Sequence, residues 1–309
     1  MCSFLDTLFI VGKQGHLETM TGFKCVRYGR DVEDFLDDLP PSTNRYTYEG
    51  KEQFEEIARL EHHRLEHSLH HLQSEPIDNS LDISEYFVMT IDMPSFRRDF
   101  SRKLNVGVRQ FYNPTLHILI LRMTLPEHSE VTGVFHDAVM EALQPMGLNK
   151  AAILRYGGAS INVGGGNTKQ PDLGWGPRRL SRGVANRPSV VLEAGLSEPE
   201  TKLHSDARMW VDPTRGKANM AITIRVDPRK PMITIQTWEW DSNSQRPHVT
   251  QSCVIEKTGD NITVSQHTLT IPFDLLFRRP PSIPRETDIR LQKQDLVEIG
   301  TGVWEMQGL

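Results

Sequence analysis

From Ser189 to Ala194 the chain reads Ser-Val-Val-Leu-Glu-Ala, apolar on both faces until its glutamate. A strand of that kind is satisfied only inside a sheet with a packed layer on either side. The requirement makes this an α/β protein in the broad α+β sense, a mixed central β-sheet flanked by helices. The neighbouring sequence supplies those parts in order. Thr115–Leu121 reads as a buried strand. A helix follows Pro126, because Val131, Val134, Phe135, Ala138, Ala142 and Leu143 form one apolar stripe, and Met146-Gly147 stops it. Two short strands, Ala152–Tyr156 and Ala159–Val163, are joined by Gly157-Gly158. Beyond Ala194, Ser197-Glu198-Pro199-Glu200 has the pattern of a capping box with proline in the first turn. Leu203, Ala207, Trp210 and Val211 give the helix that follows its buried side. Met220–Val226 and Met232–Trp238 alternate as a strand pair, and Val249–Glu256 with Asn261–His267 suggests a second hairpin.

These signals divide the chain into a polar, helical accessory region over 1–112, a core with an added hairpin over 113–270, and a proline-rich tail over 271–309 that packs on the core. In the accessory region a helix over Lys51–Gln73 carries Phe54, Ile57, Leu65, Leu69 and Leu72 on one face. At 309 residues and 38% hydrophobic the chain can bury a sizeable core. Its formal net charge of -5 argues against a protein that binds nucleic acid through global charge, and leaves a local basic patch open. Cys2, Cys25 and Cys253 are odd in number and far apart, which suits neither a disulfide framework nor a four-cysteine zinc site and points to a reducing compartment, cytoplasmic or nuclear. Asp6 interrupts the short apolar start, which has no basic leader, so no secretory signal is expected. No apolar run approaches the ~20 residues of a membrane span, so no membrane partner is expected either.

The chemistry lies in the order Pro171-Asp172, a strand ending at Glu193, then a helix, which is the skeleton of a two-carboxylate metal site. The order helix, strands, Pro-Asp, strand ending in Glu193-Ala194-Gly195, helix, strand resembles the PD-(D/E)XK, or restriction-endonuclease-like, superfamily. More narrowly, Val190 to Glu198 followed by Leu203, Asp206-Ala207 and Trp210 resembles an uncharacterised fungal group, itself similar to a bacterial family of restriction-type endonucleases. The likeness covers roughly Leu116 to Trp238 and implies a restriction-endonuclease-like core.

It also implies a magnesium ion held by Asp172, Glu193 and the carbonyl of Ala194, with an acidic residue of the first core helix nearby. Glu130, Asp137 and Glu141 share one edge of that helix, either as candidates for this place or as an ordinary solvated face, and Glu130 is preferred because it follows His128 near the helix start. The ion would activate a water against a nucleic-acid phosphodiester, the reaction of a hydrolase. The lysine that normally orients this water is replaced by Gly195, so Lys202 and Lys169 become the candidates for its role, against the alternative that each is solvated surface. Without a substitute the scaffold is catalytically degenerate and binds protein or nucleic acid instead. Arg178, Arg179, Arg182 and Arg187 lie between the two acids with no acidic residue among them, and would form a cationic rim for nucleic acid beside the metal.

Other features carry less. His63, His67 and His71 recur at four-residue steps, compatible with zinc or with an ordinary polar helix face. Gly164-Gly165-Gly166 lacks the order of a phosphate loop. The tryptophans read as packing residues, with Trp175 in a glycine-flanked loop where it could be exposed. The amino-terminal helix and proline-rich tail are candidate surfaces for a protein partner or a homo-oligomer.

Overall fold

The computed structural model describes residues 30–74, 83–101, 104, 106–179, 186–196 and 200–309. The chain forms two compact units, Met1–Asp37 and Asp38–Leu309. The described part of the first holds helix α1 (Arg30–Leu36).

The second unit begins with β1 (Asn44–Thr47), α2 (Lys51–Ser74), β2 (Tyr86–Thr90), α3 (Met93–Asp99), β3 (Val108–Asn113) and β4 (Ile118–Met123). It continues through α4 (Pro126–Leu143), β5 (Ile153–Arg155), β6 (Ile161–Asn162), β7 (Thr168–Lys169), β8 (Leu173–Pro177), β9 (Val190–Gly195) and α5 (Glu200–Val211). β10 (Met220–Val226), β11 (Met232–Asp241), β12 (Arg246–Thr258) and β13 (Asn261–Val264) follow, and β14 (Thr268–Ile271), α6 (Phe273–Phe277), β15 (Ile289–Gln292) and α7 (Lys293–Gln307) close the chain. The fold is therefore mixed α and β. One sheet has the order β1-β2-β4-β3-β7-β6, a second has β13-β12-β11-β10-β9-β8-β5, and β14 pairs with β15 alone.

β9 is interior, as its composition requires. Val190, Leu192 and Ala194 face the larger core with Val131, Phe135 and Val139 of α4 and Leu296, Ile299 and Val303 of α7. Val191 faces a second cluster with Ala207 and Trp210 of α5. Each Val, Leu, Ile and Phe among them contributes about 1.5–3 kcal/mol by leaving water, which holds helices on both faces of the second sheet. Glu193 follows the same alternation and so points toward α5. β9 runs antiparallel to β8 and parallel to β10.

Two short strands lie within Ala152–Tyr156 and Ala159–Val163 as expected, and they belong to different sheets: β5 pairs with β8 in the second sheet, and β6 pairs with β7 in the first. Gly158, at φ +71°, turns the chain from one sheet to the other. The division expected near residue 113 falls inside the antiparallel pair β3–β4, so strands from the first 112 residues share a sheet with β4 and β7. Phe54, Ile57 and Leu65 of α2 are buried as their spacing predicts. The Leu72 side chain and the Ser197–Pro199 cap lie outside the described residues. No described helix is long and apolar enough to cross a membrane.

The chain crosses between the two sheets again over Gln170–Asp172, leaving β7 of the first and entering β8 of the second. The Gln170 N–H donates to the Gln110 carbonyl of β3 at 2.9 Å. This crossing brings Lys169, Asp172 and the end of β9 together.

Candidate functional site

Asp172 stands immediately before β8. Its Oδ2 accepts the Ala194 N–H at 2.8 Å, so the carboxylate continues the β8–β9 ladder past its last backbone pair. Its Oδ1 accepts from Nη2 of Arg122, which reaches over from β4 in the other sheet. The same guanidinium donates through Nη1 to the Ala194 carbonyl at 3.0 Å and lies 3.7 Å from Glu193 Oε2. One buried arginine thus joins both acids and the backbone oxygen between them.

Glu193 Oε1 accepts the Trp210 indole N–H at 2.6 Å, with Lys169 Nζ 3.7 Å away. Lys169 has a closer partner in Asp206 Oδ2 at 2.7 Å, and Lys202 donates to the other Asp206 oxygen. Both ammonium groups lie over aromatic rings, Lys169 at 5.3 Å from the Phe111 centroid and Lys202 at 5.5 Å from that of Tyr86. Arg109 Nε completes the rim, 3.6 Å from Asp172 Oδ1. The partly open pocket between these groups is about 20 Å³, room for about one water.

Burial raises every carboxyl in this group, and the neighbouring cations decide what remains. For Asp206, Lys169 and Lys202 outweigh burial and hold the carboxyl far below its ordinary range. For Asp172, Arg122 and then His128 and Arg109 outweigh burial and lower the carboxyl below its ordinary value. For Glu193 burial wins over Lys169, and its pKa is pushed up to about 7. The two acids of the expected metal pair therefore titrate in opposite directions.

This arrangement does not fit a magnesium ion. Magnesium needs several ionised or carbonyl oxygens converging in an octahedral shell that keeps some of its water. Here Asp172 has an oxygen on the Ala194 amide and an oxygen on Arg122, the Ala194 carbonyl is taken by the same arginine, and Glu193 holds on to a proton near neutral pH. Among the described residues no group of three or more His, Cys, Asp or Glu side chains could hold a metal ion.

The expected residues are placed as follows. Asp172, Glu193, Ala194 and Lys169 converge, and Lys202 joins them through Asp206. Glu130 does not: its carboxylate lies beside Gly302 of α7, where a side chain would meet it at 3.1 Å. Two positions along a helix turn a side chain about 200°, so when His128 faces the core, Glu130 faces away. His128 instead lies 3.1 Å from Glu85, just ahead of β2, and its Nδ1 accepts the Leu125 N–H at 3.0 Å. Glu85 in turn accepts the Leu196 N–H at 3.0 Å, anchoring the end of β9. Burial alone would lower the His128 pKa, and Glu85 more than reverses this.

The described ends of the arginine loop are not beside the acids. β8 and β9 pair as Leu173 with Leu192 and Trp175 with Val190. The residues linking them leave from the Pro177 end, whereas Asp172 and Ala194 lie at the other end. Four steps of about 3.3 Å separate the two ends. Arg178 is anchored to the carbonyls of Lys150 and Ile153 at 3.2 Å, Arg179 is exposed, Arg187 is half-buried, and Arg182 lies outside the described residues. Trp175 is 1% exposed and donates to His136 Nδ1 at 3.0 Å, so it is a packing residue.

Arg122, Arg109, Glu85 and the Trp210 indole were not singled out as site residues. Arg122 had a signal: it is the lone charge at the end of the apolar run Ile118-Leu119-Ile120-Leu121. A charge in that position must find a buried partner of opposite sign. No family model matches this chain, and no curated protein matches it.

Proposed function

We propose that this protein is a catalytically degenerate, nuclease-like scaffold that binds nucleic acid and does not hydrolyse it. The observation that carries the reading is the Arg122 guanidinium spanning Asp172 and the Ala194 carbonyl. Hydrolysis on this type of site needs those oxygens on a metal ion, and they are tied to a fixed cation. The nuclease-like part is supported by the order α4, β5, β8, β9, α5, β10, with the two acids brought to one end of β8 and β9 and the last strand parallel to β9. The binding part is supported by the cleft, where Arg109, Arg122, Lys169 and Lys202 face Asp172, Asp206 and a Glu193 that is half protonated near neutral pH. Cations are in excess there. Arg109, with 30% of its side chain exposed, is the one that reaches solvent.

Incubation with single-stranded DNA, duplex DNA and RNA in magnesium or manganese is expected to give no cleavage above that of Glu193→Ala. Fluorescence anisotropy with the same polymers is expected to show salt-dependent binding, weakened about three- to tenfold by Arg109→Ala, the loss of one phosphate contact. Arg178→Ala with Arg179→Ala, at the far end of β8, should weaken it less than Arg109→Ala does. Metal-dependent cleavage that Glu193→Ala abolishes overturns the degenerate reading. The absence of binding to all three polymers overturns the nucleic-acid reading.

A further inference from the structure

We propose that a pocket between α3, β3 and the turn joining β6 to β7 binds a small aromatic carboxylate, its ring against the apolar walls and its carboxylate on Arg97. The pocket lies behind the acid cleft. β3 and β7 pair Phe111 with Lys169 and Tyr112 with Thr168, and successive residues of a strand face opposite sides of the sheet. Phe111 and Lys169 line the cleft, whereas Tyr112 and Thr168 line the pocket. The proposal therefore goes beyond the proposed function and does not rest on it.

The pocket is partly open and holds about 270 Å³, close to the lower end of small-molecule sites at ~300 Å³. Its walls are largely apolar, formed by Phe96, Phe100, Tyr112 and Pro114. Phe96 lies parallel to Tyr112 at 3.9 Å and to Phe100 at 5.8 Å between ring centroids. Rings stacked on one another offer a guest their edges more than their faces, and a positive ring edge packs against the face of an aromatic guest. Arg97 and the hydroxyls of Ser160 and Thr168 supply the polar part, and no carboxylate lines the pocket among the described residues. The acids nearby are committed elsewhere: Asp92 accepts the Ser95 N–H at 2.8 Å and caps α3, and Asp99 pairs with Arg98 at 2.7 Å. Arg97 is exposed and makes no ion pair with a described residue. Burial and then Asp92 raise the Tyr112 hydroxyl above its ordinary range, and Arg97 acts against them, so its charge is within electrostatic reach of that ring. A carboxylate thus finds a guanidinium without a counter-charge of its own, in the fork geometry that suits it. Gly166, at φ +79°, lines the pocket without a side chain, and a Cβ there would crowd the Pro114 Cγ at 3.3 Å.

The test is calorimetric titration of the full chain with cinnamate and with its neutral counterpart cinnamamide. Cinnamate is expected to bind, and cinnamamide to bind about tenfold more weakly. Arg97→Gln, at an exposed position, is expected to weaken cinnamate about tenfold and to leave cinnamamide unchanged. Ser160→Phe fills the pocket from the exposed turn before β6 and is expected to abolish binding of both. Thr168→Met fills it from β7 and carries the same comparison if Ser160→Phe does not fold. Three results overturn the proposal: no cinnamate binding tighter than ~1 mM, equal affinity for the two compounds that Arg97→Gln leaves unchanged, or binding that survives the filling variants. Displacement of bound cinnamate by single-stranded DNA also overturns it, since the pocket then belongs to a nucleobase.

Discussion

Asp206→Ala is expected to destabilise the protein by about 3–5 kcal/mol, the range for removing one partner from a buried ionic group. Asp206 is 3% exposed and accepts from both Lys169 and Lys202, whose side chains are 8% and 6% exposed. Removing it leaves two buried ammonium groups without their shared carboxylate. Glu193 cannot stand in for it, since it lies 3.7 Å from Lys169 and takes up a proton readily. The cost is that of buried charge deprived of its carboxylate, so replacing the whole group should lessen it: Lys169→Met, Asp206→Leu and Lys202→Met together are expected to restore most of the lost stability. Urea unfolding at neutral pH measures both, provided the m-value holds constant. A loss below about 1 kcal/mol for Asp206→Ala would mean that the lysines reach solvent when freed, and that the group is a surface network. The large loss would place Lys169 and Lys202 in the fold's ionic framework, held away from the role of orienting a water for attack.

The parts of this arrangement that could be read from sequence are those whose apolar pattern is enforced by burial on two sides. β9 and β10 are continuous runs because clusters lie on both faces, and the α4 stripe is unbroken because α4 fills the larger core. β8 gave no such signal. Its sequence is Leu-Gly-Trp-Gly-Pro, and glycine and proline normally weaken a strand. Here the glycines are required by close approach: a Cβ on Gly174 would stand 3.0 Å from the Pro188 Cβ, and one on Gly176 3.1 Å from the Arg187 carbonyl. β2 was hidden because its partners, β1 and β4, lie far from it in the chain, whereas β3 forms a hairpin with β4 across 114–117 and its alternating burial left a local mark that went unread. Asp172 and Glu193 stand at the strand ends where their spacing suggested, and Lys169 and Lys202 both point into the same group. What the sequence could not disclose is which charge meets which. Arg122 is 50 residues from Asp172 and 71 from Glu193 and lies in a different sheet. Its pairing follows from the seam between the sheets, a product of the whole topology.

Glu193→Gln is expected to flatten the dependence of stability on pH between about 4.5 and 7. Burial raises the Glu193 carboxyl from 4.5 to about 7 in the folded protein, so the fold keeps a proton that the unfolded chain has already released. Stability therefore falls as pH rises through that window and levels off above it. At ~1.4 kcal/mol for each pH unit the loss is about 3 kcal/mol across the range. Asp172 and Asp206 act in the opposite sense and elsewhere. Their folded values are depressed, so their contribution is complete above the ordinary aspartate value of 3.8 and is lost only as pH falls below it. His128 is raised from 6.5, so its contribution is present below that value and is lost as pH climbs past it. This steepens the upper end of the curve equally in both proteins. The difference between the unsubstituted protein and Glu193→Gln removes it, and glutamine retains an oxygen to accept the Trp210 N–H. Urea midpoints taken at intervals from about pH 4.5 to 7.5 give that difference directly, and parallel curves for the two proteins would show that Glu193 is ionised throughout. A converging pair, with glutamine gaining on glutamate as pH rises, would establish that Arg122 and Lys169 together fall short of one full counter-charge for Glu193. It would also explain in one step why this carboxyl serves Trp210 as an acceptor and makes a poor ligand for a metal ion.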